Sequence, residues 1–259
     1  MKMHEFVYLS FKSTYPFTSF SSFLINRLAA PLIEFIFWAT IALSILGSEY
    51  LHFVLLGLII FRTTQTCLTG LVSMLRAERF NGTLELIVAT PINSLTILFY
   101  KIIVPFLDSL LTMLICFTIS NILFDFTFNY NQFNYIFIAI CILYFSIIGI
   151  SLIIGSISLI FSNTNLFLNL SLQAIAVLGG VYFSPTLLPD FLEVTSKYIP
   201  TSNILLAIRI LNEGGSFESI YPLMWNEVVI GFTLILLGIY LVILLENISR
   251  KMGKLSLEE

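Results

Sequence analysis

The amino-acid sequence predicts an all-α membrane protein with six transmembrane helices. Hydrophobic residues make up 58% of it and charged residues only 10%. Its mean hydropathy of +0.99 lies well outside the range of soluble domains. Its apolar runs recur at lengths close to the ~20 residues that a helix needs to cross the hydrocarbon core. The 259 residues leave room for several spans and short loops but for no large soluble domain, so one transmembrane domain covering 1–259 is expected.

Residues 1–28 interleave Phe6, Tyr8, Phe11, Tyr15 and Phe17 with Lys12 and Arg27. That mixture suits the headgroup layer, so an N-terminal interfacial elbow helix, broken at Pro16, is expected. No early apolar core with a small-residue cleavage site marks a signal peptide, and insertion is expected to start with the first span. Spans are expected at 29–46, 51–75, 95–123, 135–160, 166–183 and 228–245. Within the fourth, Ser151 and Gly155 make a small-xxx-small pair, which favours close helix packing. Residues 184–227 are too apolar for a free loop, and Pro185, Pro189 and Pro200 cut them into short pieces. Extracellular re-entrant helices between spans 5 and 6 fit best, because backbone at that depth must be shielded by protein.

Orientation follows from the positive charges. Lys2, Lys12, Arg27, Arg76, Arg79, Lys101, Arg250, Lys251 and Lys254 fall on one side, against Lys197 and Arg209 on the other. Both termini are therefore expected in the cytoplasm. The opposite face collects Glu49, Asp125, Asp190, Glu193, Glu213, Glu218 and Glu227, and reads as an acidic surface.

Between spans 2 and 3 lies a segment, 76–93, that is too polar for lipid; its heart is Arg76 to Pro91, RAERFNGTLELIVATP. Gly82 and Thr83 supply a break and an N-cap, Leu84, Leu86, Ile87 and Val88 an apolar stripe, and Pro91 a stop. Glu78, Arg79 and Glu85 present charge to water. From the residues alone this is either a polar connection or a handle that a soluble partner could grip.

Four charged residues fall inside expected spans: Glu34, Arg62, Lys101 and Asp108. Unpaired, each costs roughly 2.5 to 3.5 kcal/mol on insertion scales. Glu34 and Arg62 are the first candidates for an intramembrane ion pair, with Asp108 as the alternative partner of Arg62. Lys101 is placed near enough to the cytoplasmic surface to act as an anchor. The 25 Phe and 11 Tyr read as packing and lipid-facing groups before they read as a cargo path.

Several functions are excluded. Cys67, Cys116 and Cys141 lie inside spans and offer neither a disulfide framework nor metal-ligand spacing. No nucleophile, base and oxyanion set can be assembled, so neither a catalytic nor a metal-ligating residue is assigned. No nucleic-acid partner is expected. A GxxxxGK[ST] phosphate loop is absent from the sequence.

The stretch ERFNGTLELIVATP resembles the ER-x-x-GTLE-x-L-x-x-TP segment of ABC-2-type permeases, the membrane subunits of a class of ABC exporters. A second stretch, Leu172 to Arg209, is similar to the C-terminal signature of that family. It carries Leu172, Ile175, Leu178, Gly179 and Val181, then Leu188 and Pro189, then Pro200, Thr201 and Arg209. Asn203 departs from it, standing where His, Arg, Ser or Tyr is usual.

The resemblance implies that 76–93 is a cytoplasmic coupling helix, through which Glu78, Arg79, Gly82, Thr83, Glu85 and Pro91 meet an ATPase. It further implies two copies of an ABC ATPase as partners, with ATP and Mg bound on them and no cofactor on this chain. A second permease subunit, identical or different, and a location in the cytoplasmic membrane also follow. Gly179, Pro189, Pro200 and Arg209 carry the re-entrant signature. The implied activity is outward movement of an amphiphilic cargo such as a drug or peptide, with a polysaccharide or lipid-linked glycan as the alternative. Readings of another class are a secondary transporter, which calls for inverted repeats that are not seen, and a non-transport membrane assembly factor.

Overall fold

The computed structural model describes residues 29–80, 94–127, 132–157, 161 and 164–252. Among them the chain forms eight α-helices and one short 3-10 turn, and no strand. In chain order these are α1 (Ala30–Leu46), α2 (Ser48–Phe80), α3 (Ser94–Phe124), α4 (Phe133–Ile157), α5 (Thr164–Leu178), the 3-10 turn Pro185–Leu187, α6 (Asp190–Ser196), α7 (Ser202–Asn212) and α8 (Phe217–Met252). The elbow expected at 1–28 and residues 81–93 of the coupling segment lie outside the described residues.

Four helical stretches are long and apolar enough to cross a membrane: Tyr50–Ala77, Leu95–Phe124, Phe133–Ile157 and Phe217–Leu245. The other two expected spans are shorter, with 17 residues in α1 and 15 in α5. They measure about 25 Å and about 22 Å, against a hydrocarbon core of ~30 Å. A count of six spans depends on those two.

The expected fifth span, 166–183, stops being helical at Leu178. Gly180 takes φ +75°, and the Val181 N–H donates back to the Ala176 carbonyl at 3.3 Å. That is a Schellman ending, which a glycine at this position favours. The same device ends α7: Gly214 has φ +89° and the Gly215 N–H donates to Ile210 at 2.8 Å. The last helix then begins at Phe217 rather than at 228, absorbing Pro222 near its start. Gln132, at the entry to α4, donates its side-chain amide to the Gly215 carbonyl at 2.7 Å and ties the two turns together.

α2 is the central element. It is mostly buried, and α1, α3, α4, α5 and α7 all pack on it. Its 33 residues extend about 50 Å, more than the membrane core requires. The surplus carries an exposed Arg76 beyond the apolar part. The most extensive helix pair is α4 with α8. In lipid no hydrophobic drive pulls helices together, so this pair depends on close backbone approach. A Cβ placed on Gly238 would stand 2.6 Å from that of Leu152, and one on Gly149 2.7 Å from that of Leu234. The small-residue contact thus falls at Gly149 rather than at the Ser151 and Gly155 pair. Ser151 donates to Ile147 on its own helix, and Gly155 meets Leu71, Leu75 and Leu98 at ordinary contact distance.

Candidate functional site

Two polar clusters lie along α2. In the first, Arg62 grips Glu34 of α1 with a two-pronged contact: Nη2 stands 2.7 Å from Oε1 and Nη1 donates to Oε2 at 2.7 Å. Nη1 also donates to Gln65 Oε1, one turn further along α2, at 2.7 Å. Such a fork is the strong form of an Arg–carboxylate contact and offsets the desolvation of both charges. The pair is lopsided, because the Arg62 side chain is 4% exposed and that of Glu34 52%. Arg62 Nε finds no acceptor among the described residues. Asp108 sits half-buried on α3. Lys101, expected as a surface anchor, is instead 1% exposed inside the helix packing.

The second cluster gathers around the chain break after α5. The break lies beside Gly57 of α2, where an added Cβ would meet the Val181 carbonyl, about 14 Å from the Ser48 end. The Tyr182 ring reaches further along to pack 5.6 Å from Trp38 and 6.5 Å from Phe61. Carbonyls freed by a helix ending at such a depth need donors. Arg209, in the last turn of α7, supplies them. Its Nη1 donates to the Gly180 carbonyl at 2.9 Å, and its Nη2 to those of Val181 at 3.2 Å and Phe53 at 2.9 Å. Nε adds a second bond to Phe53 at 3.2 Å, and the guanidinium carbon stands 3.3 Å over the Phe53 ring. Burial pulls the Arg209 guanidinium down to about 9, with Glu213 acting the other way. It keeps its charge at neutral pH.

The opposite end of α7 is held by a glutamate side chain. Thr201 adopts φ +77° and donates its N–H to Glu227 Oε1 at 2.7 Å. Asn203 Nδ2 reaches Glu227 Oε2 at 3.4 Å and the Lys197 carbonyl at 2.9 Å. A carboxylate from α8 therefore caps the positive end of α7. Glu227, expected on the acidic outer surface, is 0% exposed. Backbone and side-chain donors converge on its two oxygens.

Of the re-entrant signature, the structure places Gly179 next to the two carbonyls that Arg209 holds. Pro200 directly precedes Thr201. Pro189 stands before α6, its carbonyl accepting the N–H groups of Leu192 at 2.8 Å and Glu193 at 3.0 Å. α2 runs on through positions 78 and 79 to Phe80, so Glu78 and Arg79 belong to its final turn, as their good helix propensity favours. Gly82, Thr83, Glu85 and Pro91 lie outside the described residues. Sequence reading missed Glu227 and Phe53: an acidic residue in a polar stretch looks solvated, and Phe53 contributes mainly through its backbone.

Two cavities border α2 and α7. One, of about 180 Å³, is apolar and lined by Leu56, Ile59, Met113, Phe117, Leu143 and Ile208 among others. The other, of about 230 Å³, is lined by Phe53, Ser184, Thr186, Lys197, Asn203, Arg209 and Asn226 among others. Among the described residues, no three His, Cys, Asp or Glu stand together as a metal site.

Residues 45–245 match the sequence model of a family described as ABC-2 family transporter protein. No curated protein matches the chain.

Proposed function

Because the chain belongs to the ABC-2 family of transporter proteins, we propose that it moves an amphiphilic cargo, a drug, peptide or similar molecule, outward across the cytoplasmic membrane. It is the permease subunit of an ABC transporter, a multi-pass membrane component that is not itself catalytic and belongs to a system with a nucleotide-binding partner. In the proposed assembly two ATPase subunits carry ATP and Mg, and a second permease subunit completes the pathway. The bundle has six spans with α1 and α5 as the shorter two, and both termini are cytoplasmic. Segment 76–93 docks on the ATPase, with Glu78, Arg79 and Glu85 making its polar contacts and Gly82, Thr83 and Pro91 shaping it.

One observation carries the reading: α2, on which α1, α3, α4, α5 and α7 pack, is continuous with that segment. A push at its Phe80 end is a push on the whole core, and rigid-body shifts of this kind are a common mode of switching. The amphiphilic class is supported by the two cavities, one apolar and one polar, bordered by the same pair of helices.

The test is reconstitution of the chain with a candidate ABC ATPase subunit. Cargo-dependent ATP hydrolysis and ATP-dependent loss of a fluorescent cationic dye from vesicles are the expected results. Solute movement at full rate without nucleotide would overturn the proposal.

A further inference from the structure

We infer that α7 is a lever: it pivots where Glu227 holds Thr201 and is pulled where Arg209 grips α2, so that displacement of α2 against α8 changes the width of the polar cavity. The inference rests on the permease reading only for what moves α2.

The two attachments go to different bodies. At its N-terminus α7 is bound to α8, through the Thr201 N–H to Glu227 at 2.7 Å and Asn203 Nδ2 to the same carboxylate at 3.4 Å. Eight residues on, Arg209 binds the Phe53 carbonyl of α2 through both Nε and Nη2. The lever arm between them is about 12 Å. Thr201, at φ +77°, already occupies a conformation that β-branched residues rarely adopt. A pivot at that point concentrates the change in a backbone that is not part of the helix.

Arg209 also carries the chain break along with α2. Its fork holds the Gly180 and Val181 carbonyls while it holds Phe53. Gly57 makes room for this, because a Cβ there would collide with the Val181 carbonyl oxygen and would stand 2.9 Å from Arg209 Nη2. A lysine offers one compact head and cannot span three carbonyls as the planar fork does. Ser202, Leu206 and Arg209 follow the i, i+4, i+7 spacing of one helix face, and all three line the polar cavity. Turning α7 about Thr201 therefore moves a complete wall of that cavity.

Hydrogen exchange of the full chain in nanodiscs tests the lever. Arg209→Met and Gly57→Ala are each expected to raise exchange about tenfold or more at 179–183 and 206–212, while 201–204 stays protected. Glu227→Leu, which removes the acceptor, is expected to do the reverse, loosening 201–204 and sparing 179–183. Uniform loosening of 201–212 by either kind of variant, or no change, overturns the inference. Should Arg209→Met fail to fold, Gly57→Ala decides, since it keeps every charge. In membranes holding the whole transporter, Mg-ATP should change exchange at 179–183 and 206–212 together, and not in the Gly57→Ala chain. ATP hydrolysis without such a change sinks the lever and leaves the permease reading standing. Absence of hydrolysis counts against the permease reading, and the pattern in the isolated chain then decides for the lever.

Discussion

Glu227 of α8 accepts the backbone N–H of Thr201 at 2.7 Å, so the buried start of one helix is capped by a carboxylate from another. Replacing Glu227 by Leu strands the Thr201 N–H away from water, while Asn203 Nδ2 keeps the Lys197 carbonyl at 2.9 Å. An unsatisfied buried donor costs about 1 to 3 kcal/mol. Glu227→Leu should therefore lower the thermal midpoint of the detergent-solubilised chain, and Glu227→Gln, which keeps an acceptor, should recover most of the loss. Equal midpoints for Glu227→Leu and the unaltered chain would show that the cap contributes nothing.

Glu34 and Arg62 make an asymmetric pair, which predicts asymmetric mutants. Losing Glu34 leaves a guanidinium with a side chain only 4% exposed held by Gln65 alone, and an unpaired Arg at depth costs roughly 2.5 to 3.5 kcal/mol. Losing Arg62 leaves a carboxylate that is half-exposed. Glu34→Leu should thus reduce folded yield more than Arg62→Met, and the exchange Glu34→Arg with Arg62→Glu should restore what either reversal loses. The order of yields by size-exclusion chromatography checks the first point, and a swap that rescues nothing removes the second.

Much of this architecture could be read from composition and periodicity, because long apolar helices announce themselves by length. The ends of elements could not. Hydropathy runs on through Val181 to Phe183, so it carries the fifth span past Gly179 and Gly180, where backbone geometry stops α5. The same blindness delayed α8 to 228, since Glu218, Pro222 and Glu227 look like loop residues until Glu227 is seen capping α7. Arg209 could be picked out by resemblance, yet its three carbonyl partners lie on α2 and beyond α5, and backbone acceptors leave no mark in a sequence. Lys101 is 1% exposed, which its position along a span does not reveal.

Gly238 and Gly155 look alike in sequence and differ in their surroundings. A Cβ on Gly238 would stand 2.6 Å from the Leu152 Cβ, at the stem of a side chain that cannot swing away, whereas one on Gly155 would stand 3.4 Å from Leu71 Cδ2. Overpacking typically costs about 1 to 3 kcal/mol, while alanine in a helix gains up to ~1 kcal/mol over glycine. Gly238→Ala should lower the thermal midpoint and Gly155→Ala should leave it unchanged or raise it. The reverse order would refute the close approach of α4 and α8.

The proposed coupling role of 76–93 predicts a separation between assembly and work. α2 carries its helix to Phe80, and Gly82 and Glu85 follow it in the chain. Gly82→Pro imposes a fixed φ and removes a donor where the segment is proposed to turn, and Glu85→Ala deletes a charge proposed to meet the ATPase. Both chains should insert and purify at ordinary levels, and both should lose permease-stimulated ATP hydrolysis when mixed in vesicles with an ABC ATPase that the unaltered chain stimulates. Glu218→Ala, an exposed acid in the first turn of α8, is the matched control and should keep that stimulation. Full stimulation by Gly82→Pro and Glu85→Ala would move the docking site elsewhere, and failure of both to insert would make the segment a folding element instead of a handle.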